Sequence, residues 1–448
     1  MHAYHGPRAL TRDLRKGGAY QLSGALEQRV KAEPERFYHL AVSRVPLTVD
    51  GHYTRAFLNG LTESNAPLRM VSEVIRRFAP VADDDVKCVI CWNLRKRYSE
   101  GLPNDLIDLI ESYVREPPGV YEAQWMASDS NEKEKRKEVD HVCINTVRGS
   151  ALEVLTAALD EQNTEEARER QWGILEYVAS DPSLPLRSGG IHALIYKLHE
   201  DPERVYSLFE RMIEGHSALL QSRHTQQFLH HGLARFGGRL LPMLHLILAL
   251  PDEQDQQRGA ELITLLGMHD ERQAQHEADR LRAGTPSWRR GCAQVYAHNV
   301  NTANADFCYH NMLLLLNDDD EAVRTNLSHF LSEIGDEEVI TRRPFLEAYI
   351  ASRSLHNGFN KLIEYLRDKA LIDLDWTLTA VSQILENSFE PETPLWYRDN
   401  EGLVRIVVQI YTHDLDESIR RRAMDAFDDL VTQYEEPDNE VLSEFDRR

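Results

Sequence analysis

The chain has 448 residues, with 51 Lys and Arg against 73 Asp and Glu, so its formal net charge is -22 at pH 7. A hydrophobic content of 42% and a charged content of 28% are typical of a folded globular protein and exclude wholesale disorder. The negative charge repels phosphate backbones and anionic headgroups, and no local basic patch offsets it, so neither nucleic acid nor a membrane is predicted as a partner.

Helical periodicity runs through most of the chain. Apolar residues recur at intervals of three and four, for instance from Val205 to Ile213 and from Val323 to Ile334, and alternating strand-like patterns are rare. Helix starts carry capping signals such as Asp201 followed by Pro202. These patterns predict an all-α protein of about twenty helices.

Four segments are predicted along the chain. Residues 1–116 form a short N-terminal helical-repeat segment. Residues 117–140 open with two prolines and a glycine and continue with a run of charged residues, which predicts a charged linker or loop. Residues 141–390 form the main array, and residues 391–448 form C-terminal capping helices.

A short motif recurs at helix starts: an aspartate, four variable residues, an aliphatic residue and an arginine. Its aspartates and arginines are Asp181 and Arg187, Asp318 and Arg324, and Asp414 and Arg420. Arg148 occupies a related position without the aspartate. Spacings of about 35 to 50 residues are typical of paired-helix repeats, which bury their apolar faces by stacking. The motif therefore predicts an α-α superhelix of the HEAT or armadillo kind. The alternative is chance recurrence of acids at helix starts, where they are favourable in any protein.

The common catalytic motifs do not occur in the sequence. There is no phosphate-binding G-x-x-x-x-G-K-[ST] loop, no H-E-x-x-H zinc helix and no G-x-S-x-G nucleophile turn. We therefore predict no catalytic, cofactor-binding or metal-binding residues, and no cofactor.

Two weaker patterns contain potential metal ligands. Cys88 and Cys91 form a C-x-x-C pair that His141 and Cys143 could complete as a zinc site, but the apolar surroundings favour buried core thiols. Several histidines form a cluster, and two others each precede an aspartate, a pattern seen in metal-dependent phosphohydrolases built on helices. Both His-Asp pairs fall between two helices, where an aspartate is expected as a helix cap, so a metal site is disfavoured. These histidines and pairs are His224, His230, His231, His269-Asp270 and His413-Asp414.

Arginine runs occur at Arg289-Arg290, at Arg342-Arg343 and from Arg420 to Arg422. We interpret them as solvated helix faces and ion pairs between repeats, with contact to phosphate or to an acidic partner as the alternative. Five cysteines and a start unlike a signal peptide predict a reducing, cytoplasmic location.

Six sequence blocks follow one another in a recognisable order. They are LEQRVKAEPERFYHLAVSRVP, VRGSALEVL, LRSGGIHALIYKLHEDPERVYSLFERMIE, WRRGCAQVYAHNV, DDDEAVRTNLSHFL and VLSEFDR. This order resembles the C-terminal helical-repeat region of large bacterial ATP-binding proteins of the STAND or NACHT type, which act in antiviral defence. The resemblance implies repeats that sense a foreign protein or hold an ATPase inactive. No match to that family's ATP-binding motif occurs, so no catalytic residue is carried over, and the short start before the first block implies a fragment or a split gene product.

These observations together predict a non-catalytic module whose concave face binds a protein. We expect it to be the sensor or scaffold of a defence-type ATPase system, with the ATPase module separate or N-terminal. Two alternatives stay open at this point. One is a general HEAT-repeat scaffold or adaptor unrelated to defence. The other is a HEAT-like DNA glycosylase, which the acidic composition disfavours.

Overall fold

The computed structural model describes residues 18–64, 66–128, 132–269, 272–387, 400–413 and 416–433. Within these ranges the regular structure consists of helices and turns, and they contain no strand. The predicted all-α helical-repeat class is confirmed.

The chain divides into two compact units, Met1–Arg235 and Phe236–Arg448. The helices that begin in the first unit are α1 (Ala19–Ala32), α2 (Pro34–Ser43), α3 (Gly51–Glu63), α4 (Leu68–Phe78), α5 (Asp84–Arg95), α6 (Asn104–Arg115), α7 (Val120–Ala127), α8 (Glu132–Ile144), α9 (Val147–Gln162), α10 (Glu165–Ala179), α11 (Leu184–Ile195), α12 (Pro202–Ile213), α13 (Ser217–Leu220) and α14 (Arg223–Phe236). Short 3-10 turns occupy Ala79–Val81 and Tyr98–Glu100.

The second unit continues with the same kind of element. Its helices are α15 (Leu241–Leu248), α16 (Glu253–Gly267), α17 (Arg272–Arg282), α18 (Pro286–His298), α19 (Ala305–Leu313), α20 (Glu321–Leu327), α21 (Arg343–Ile350), α22 (Ser354–Lys369), α23 (Leu374–Asn387), α24 (Asn400–His413) and α25 (Glu417–Gln433). Short 3-10 turns occupy Gly237–Leu240, Ser328–Ser332 and Asp336–Glu338.

Helices in each unit pack against their immediate neighbours and against a helix further along the chain, which in most cases is two positions away. In the first unit, α1 contacts α3, α3 contacts α5, α5 contacts α9 and α9 contacts α11. In the second unit, one row runs through α16, α18, α20, α22 and α24, and another through α19, α21, α23 and α25. This is the packing of stacked helical hairpins, in which each hairpin buries its apolar face against the next.

The segment 117–140 is helical over most of its length, so its prediction as a loop is wrong. It contains α7 and most of α8, because the charged run consists largely of Glu, Lys and Arg, which are good helix formers. The buried side chains of Val139 and Val142 anchor the end of α8. Because α9 packs against both α5 and α6, the residues before and after this segment share one core, and no unit boundary falls there. The boundary predicted at residues 390 and 391 lies outside the described residues.

The helix starts and apolar stripes are placed as predicted. The Asp201 side chain accepts the backbone N–H of Arg204 at 3.1 Å, and Pro202 is the first residue of α12. The predicted apolar positions from Val205 to Ile213 and from Val323 to Ile334 are buried. These stripes supply the core between neighbouring hairpins.

Candidate functional site

A buried arginine lies at the start of α9. Arg148 is 2% exposed, and its guanidinium donates to the Val114 carbonyl at 3.1 Å, to the Glu122 carboxylate at 3.2 Å and to Asp181 Oδ1 at 3.2 Å. The pKa of Arg148 is raised above its ordinary value. Burial alone would lower it, but the hydrogen bonds to Asp181 and the attraction to Glu122 outweigh that effect. Arg148 thus ties α9 to α7 and to the turn before α11.

Glu122 of α7 completes this buried cluster. The side chain is 1% exposed, and burial raises its pKa, although hydrogen bonds from the Ser183 hydroxyl and attraction to Arg148 oppose that shift. Buried charges of this kind are tolerated only when their partners lie close by. The cluster therefore has a structural role, which is to hold α7 in place.

The turns that carry the recurrent motif share their internal contacts. Arg187 Nε donates to the Asp181 carbonyl oxygen at 2.5 Å, and Arg324 Nη1 donates to the Asp318 carbonyl oxygen at 2.6 Å. In both turns the aspartate side chain accepts the backbone N–H two residues later, at 2.9 Å and 2.8 Å. The arginine is the fourth residue of its helix in each case and fastens the preceding turn to it.

The motif aspartates also connect neighbouring hairpins. Arg289, in the first turn of α18, donates to both carboxylate oxygens of Asp318 at 2.7 and 2.9 Å, as Arg148 does to Asp181. In both pairs an arginine at the start of one helix binds the aspartate before the next helix of the same row, from α9 to α11 and from α18 to α20. Paired bonds to a carboxylate fix orientation as well as energy.

The remaining contacts of the recurrent motif involve Arg324 and Arg420. Arg324 Nε donates to Asn357 Oδ1 at 2.7 Å, which links α20 to α22. Asp414 lies outside the described residues. Arg420 is the fourth residue of α25, like its counterparts, and its guanidinium lies 5.6 Å from the centre of the Tyr411 ring.

Ion pairs between repeats are common, and many of them share a similar spacing. In eight of them the two partners are 28 to 37 residues apart, close to the length of one helical hairpin. These pairs are Lys31–Glu63, Arg76–Asp105, Lys87–Glu116, Lys197–Asp160, Arg204–Glu176, Arg290–Asp320, Arg342–Asp306 and Arg353–Asp319. Others span more of the chain, such as Arg170–Glu111 at 59 residues and Arg422–Asp375 at 47. Arg289 pairs with Asp318 and Arg343 with Asp373, so the interpretation of Arg289-Arg290 and Arg342-Arg343 as ion pairs between repeats is confirmed.

The cysteines are buried free thiols. Burial, with a smaller contribution from nearby aspartates, raises the pKa of Cys88 to about 12, and burial raises that of Cys91 well above its ordinary value. Thiols in this state are poor nucleophiles and poor metal ligands. The core interpretation of the C-x-x-C pair is confirmed. Across the described ranges, no group of three or more His, Cys, Asp or Glu residues is placed to hold a metal ion.

The predicted histidine cluster separates into two parts. His230 and His231 contact each other with ring centres 5.6 Å apart, whereas His224 lies 3.3 Å from Asp140 and 2.9 Å from the Ser188 hydroxyl. Both of these distances end on Nδ1 of His224, whereas a nucleophile relay needs the serine and the aspartate on opposite ring nitrogens. Ser188 is also fully buried. The cluster therefore joins α8, α11 and α14 without a catalytic geometry. Asp270 and Asp414, of the two His-Asp pairs, lie outside the described residues.

A cavity of about 440 Å³ opens in the first unit, between the C-terminal ends of helices. Arg95 is the last residue of α5, and Glu153 and Glu161 lie on one face of α9. His192 of α11 and Tyr196, the residue directly after that helix, line another part of the wall. This volume lies within the usual range for small-ligand sites.

Carboxylates dominate the electrostatics of this cavity. Arg95 is paired with Glu153 at 2.6 Å, and Asp160 with the buried Lys197 at 2.6 Å. Burial raises the pKa of Glu153, and the Arg95 charge opposes that shift. Burial, helped by neighbouring positive groups, lowers the pKa of His192 to about 4, so this histidine is neutral at pH 7.

Sequence reasoning missed this cavity, although a signal was present. Polar residues recur on one helix face at Glu153, Thr156, Asp160 and Glu161, where a fully buried repeat helix would carry apolar residues. The cavity also needs α5, α8 and α9 to meet, and no spacing along the chain predicts that meeting.

No single described helix is long and apolar enough to cross a membrane. Glu138–Ile144 and Val147–Gln162 reach that length and composition only as a pair, across a bend of 72°.

Comparisons with known proteins do not assign the chain to a family. No protein-family model matches it, and no curated protein does. Among solved structures, one match is a crystal structure described as an engineered protein, at 13% identity over 93% of this chain and 97% of that chain, with a TM-score of 0.19. A similarity this low carries no argument about fold or function.

Proposed function

We propose that the protein is a non-catalytic helical-repeat module of the cytoplasm that binds another protein. The observation that supports this most is the stacking of hairpins in each unit, which presents successive loops and helix ends side by side as an extended surface. The polar residues that sequence patterns single out are occupied in holding this stack together, as Arg148, Asp181 and Asp318 are.

The partner is expected to be basic or mixed in charge. The net charge of -22 favours such a protein through complementary potentials and raises its rate of association. The same charge disfavours a phosphate backbone, which makes a protein a better partner than DNA and the glycosylase alternative the weaker one.

A role in an ATP-dependent defence machine is the finer part of this proposal, and it rests on the resemblance of the sequence blocks alone. In that arrangement the ATPase is a separate or N-terminal module, and the repeats are its sensor or scaffold. A general scaffold unrelated to defence would have the same architecture. The identity of the partner separates these two roles.

The experiment uses the tagged full chain as bait in bacterial lysate, with and without phage infection, followed by mass spectrometry and by titration of the purified candidate. We expect one candidate to form a saturable complex. A viral protein or an ATPase would support the defence role, and a constant host protein would support the general scaffold. The absence of a saturable complex with any enriched protein would overturn the proposal.

A further inference from the structure

The cavity in the first unit has the size and the walls of a side-chain pocket. Its volume of about 440 Å³ exceeds what a single long side chain fills, so a chain segment could enter with that side chain. Tyr196, which lines it, is 67% exposed, and Tyr98, the first residue of the 3-10 turn after α5, lines it as well. Aromatic rings at an opening attract cations through their electron-rich faces.

The charges in and directly behind the wall favour a cation. The carboxylates outnumber the cations by two, and Arg95 and Lys197 are already held by carboxylates. The four carboxylates are Glu153, Asp160, Glu161 and Glu200, and the two cations are Arg95 and Lys197. Glu161 is exposed and lines the cavity, and neither Arg95 nor Lys197 is paired with it.

Backbone dipoles of both signs lie around the cavity, and helix C-termini supply the negative ones. The helices α5 and α11 end beside the cavity, at Arg95 and Ile195, and α8 ends there at Ile144. Each helix C-terminus carries a partial negative charge on its free carbonyls. These three ends add to the attraction that the carboxylates exert on a cation, whereas the first turns of α9 and α14, which line the cavity at Gly149 and His224, oppose it.

We propose that this cavity binds the charged side chain of a lysine or arginine that a protein partner presents. The ammonium or guanidinium would lie beside Glu161 on the wall that α9 forms, and Tyr98 and Tyr196 would cover its aliphatic stem. The inference rests on the proposed protein-binding function and names the chemistry of the contact at one site.

The test measures binding of blocked tripeptides to the full chain by calorimetry and ligand-observed NMR. The probes are Gly-Arg-Gly and Gly-Lys-Gly, with Gly-citrulline-Gly as a neutral isostere, Gly-Glu-Gly as an anion, and agmatine as a free cation. Glu161→Gln removes one carboxylate from the cavity. Glu166→Gln removes a carboxylate five residues away that is also exposed and does not line the cavity, so it controls for net charge.

We expect the arginine or lysine peptide to bind about tenfold more tightly than the citrulline peptide, and Glu161→Gln to weaken that binding about threefold to tenfold. Glu166→Gln should leave it unchanged. Equal binding of the citrulline peptide, or equal effects of the two variants, would overturn the proposal. Tighter binding of agmatine than of either peptide would overturn the protein source of the cation.

A second readout separates this inference from the proposed function. If a captured protein partner binds wild type and Glu161→Gln equally, the cavity is not its contact site, while the protein-binding function stands. A different result is that no protein forms a saturable complex, while the arginine peptide binds and Glu161→Gln weakens that binding. The protein-binding function then fails, and so does the assignment of the cation to a protein partner. Cation recognition by the cavity is supported.

Discussion

Single residues at helix starts and at close helix contacts hold neighbouring helices of this protein together. Arg148 is buried among two carboxylates and a backbone carbonyl, whereas Arg168 is an exposed arginine with one partner three residues away. The two side chains are the same, and only their environments differ. A buried charge that loses its partner is costly because it has no water to solvate it, whereas an exposed charge keeps its water. The two arginines therefore form a matched comparison.

Replacing Arg148 with Ala should lower the free energy of unfolding by about 3 to 5 kcal/mol, because Glu122 and Asp181 would stay buried without a cation. Arg168→Ala should cost less than about 0.5 kcal/mol. Urea unfolding followed by circular dichroism measures both. Equal losses in the two variants would show that the buried cluster is not a stabilising contact.

Gly149 allows α8 and α9 to approach each other. A methyl group there would lie 2.0 Å from the Cys143 carbonyl oxygen, whereas at Gly173 of α10 nothing lies within 4 Å. Gly149→Ala should therefore destabilise by about 2 kcal/mol or more, and Gly173→Ala should stabilise by about 0.5 to 1 kcal/mol. Thermal melts of both variants test this pair of opposite signs. A Gly149→Ala variant as stable as wild type would refute the close approach.

His192 makes the stability of the first unit depend on pH. Its pKa is about 4 in the folded chain, below the ordinary value of 6.5. Between pH 4 and pH 6.5 the histidine is therefore protonated more in the unfolded chain than in the folded chain. The free energy of unfolding should therefore fall as the pH falls from 7 to 5. With allowance for solvent screening, this histidine contributes a loss of about 1 kcal/mol.

His192→Gln should reduce that pH dependence by the same amount, which urea unfolding of wild type and variant at pH 7 and pH 5 measures. His216→Gln is the control, because burial lowers the pKa of His216 to a smaller extent and it does not line the cavity. An identical pH dependence in wild type and His192→Gln would contradict the assigned role.

At the scale of helices and hairpins, the recurrent motif connects one repeat to the next. Arg289 and Asp318 belong to successive helices of one row, and the arginine binds both oxygens of the carboxylate. Arg69 and Glu73 instead form an exposed pair within α4. Pairs that hold two elements together should couple more strongly than pairs within one helix.

A double-mutant cycle on Arg289 and Asp318 should give a coupling energy of about 1 to 3 kcal/mol, with Ala at either or both positions. The same cycle on Arg69 and Glu73 should give about 0.3 to 0.5 kcal/mol. Chemical denaturation supplies the four stabilities of each cycle. If the two couplings are the same, the motif is a surface feature of helix starts and not a connection between hairpins.

Many helix starts and buried helix faces can be predicted from the sequence, because they depend on residues a few positions apart. Examples are the cap at Asp201, the apolar stripe from Val205 to Ile213 and the motif at Asp181. The sequence predicts a loop at α8 because a dense run of charged residues is typical of exposed loops. The same residues, Glu, Lys and Arg, are good helix formers, and the segment is a helix. The cavity and the identity of Asp318 as the partner of Arg289 could not be predicted, because they depend on which distant helices meet.

For the whole molecule, net charge is the property that bears most directly on function. A chain with a charge of -22 attracts basic partners over distances of about one Debye length, roughly 10 Å at 0.1 M salt. Association with a basic protein should therefore be fast at low salt and should slow as the ionic strength rises. A site dominated by buried apolar contacts would respond much less to salt.

The most direct test of the protein-binding function is calorimetric titration of the full chain with the protein that it captures, at about 50 and about 300 mM salt. We predict a saturable heat with a fixed stoichiometry and an affinity that falls severalfold at the higher salt. The absence of saturable heat with every captured protein at both salt concentrations would contradict the account.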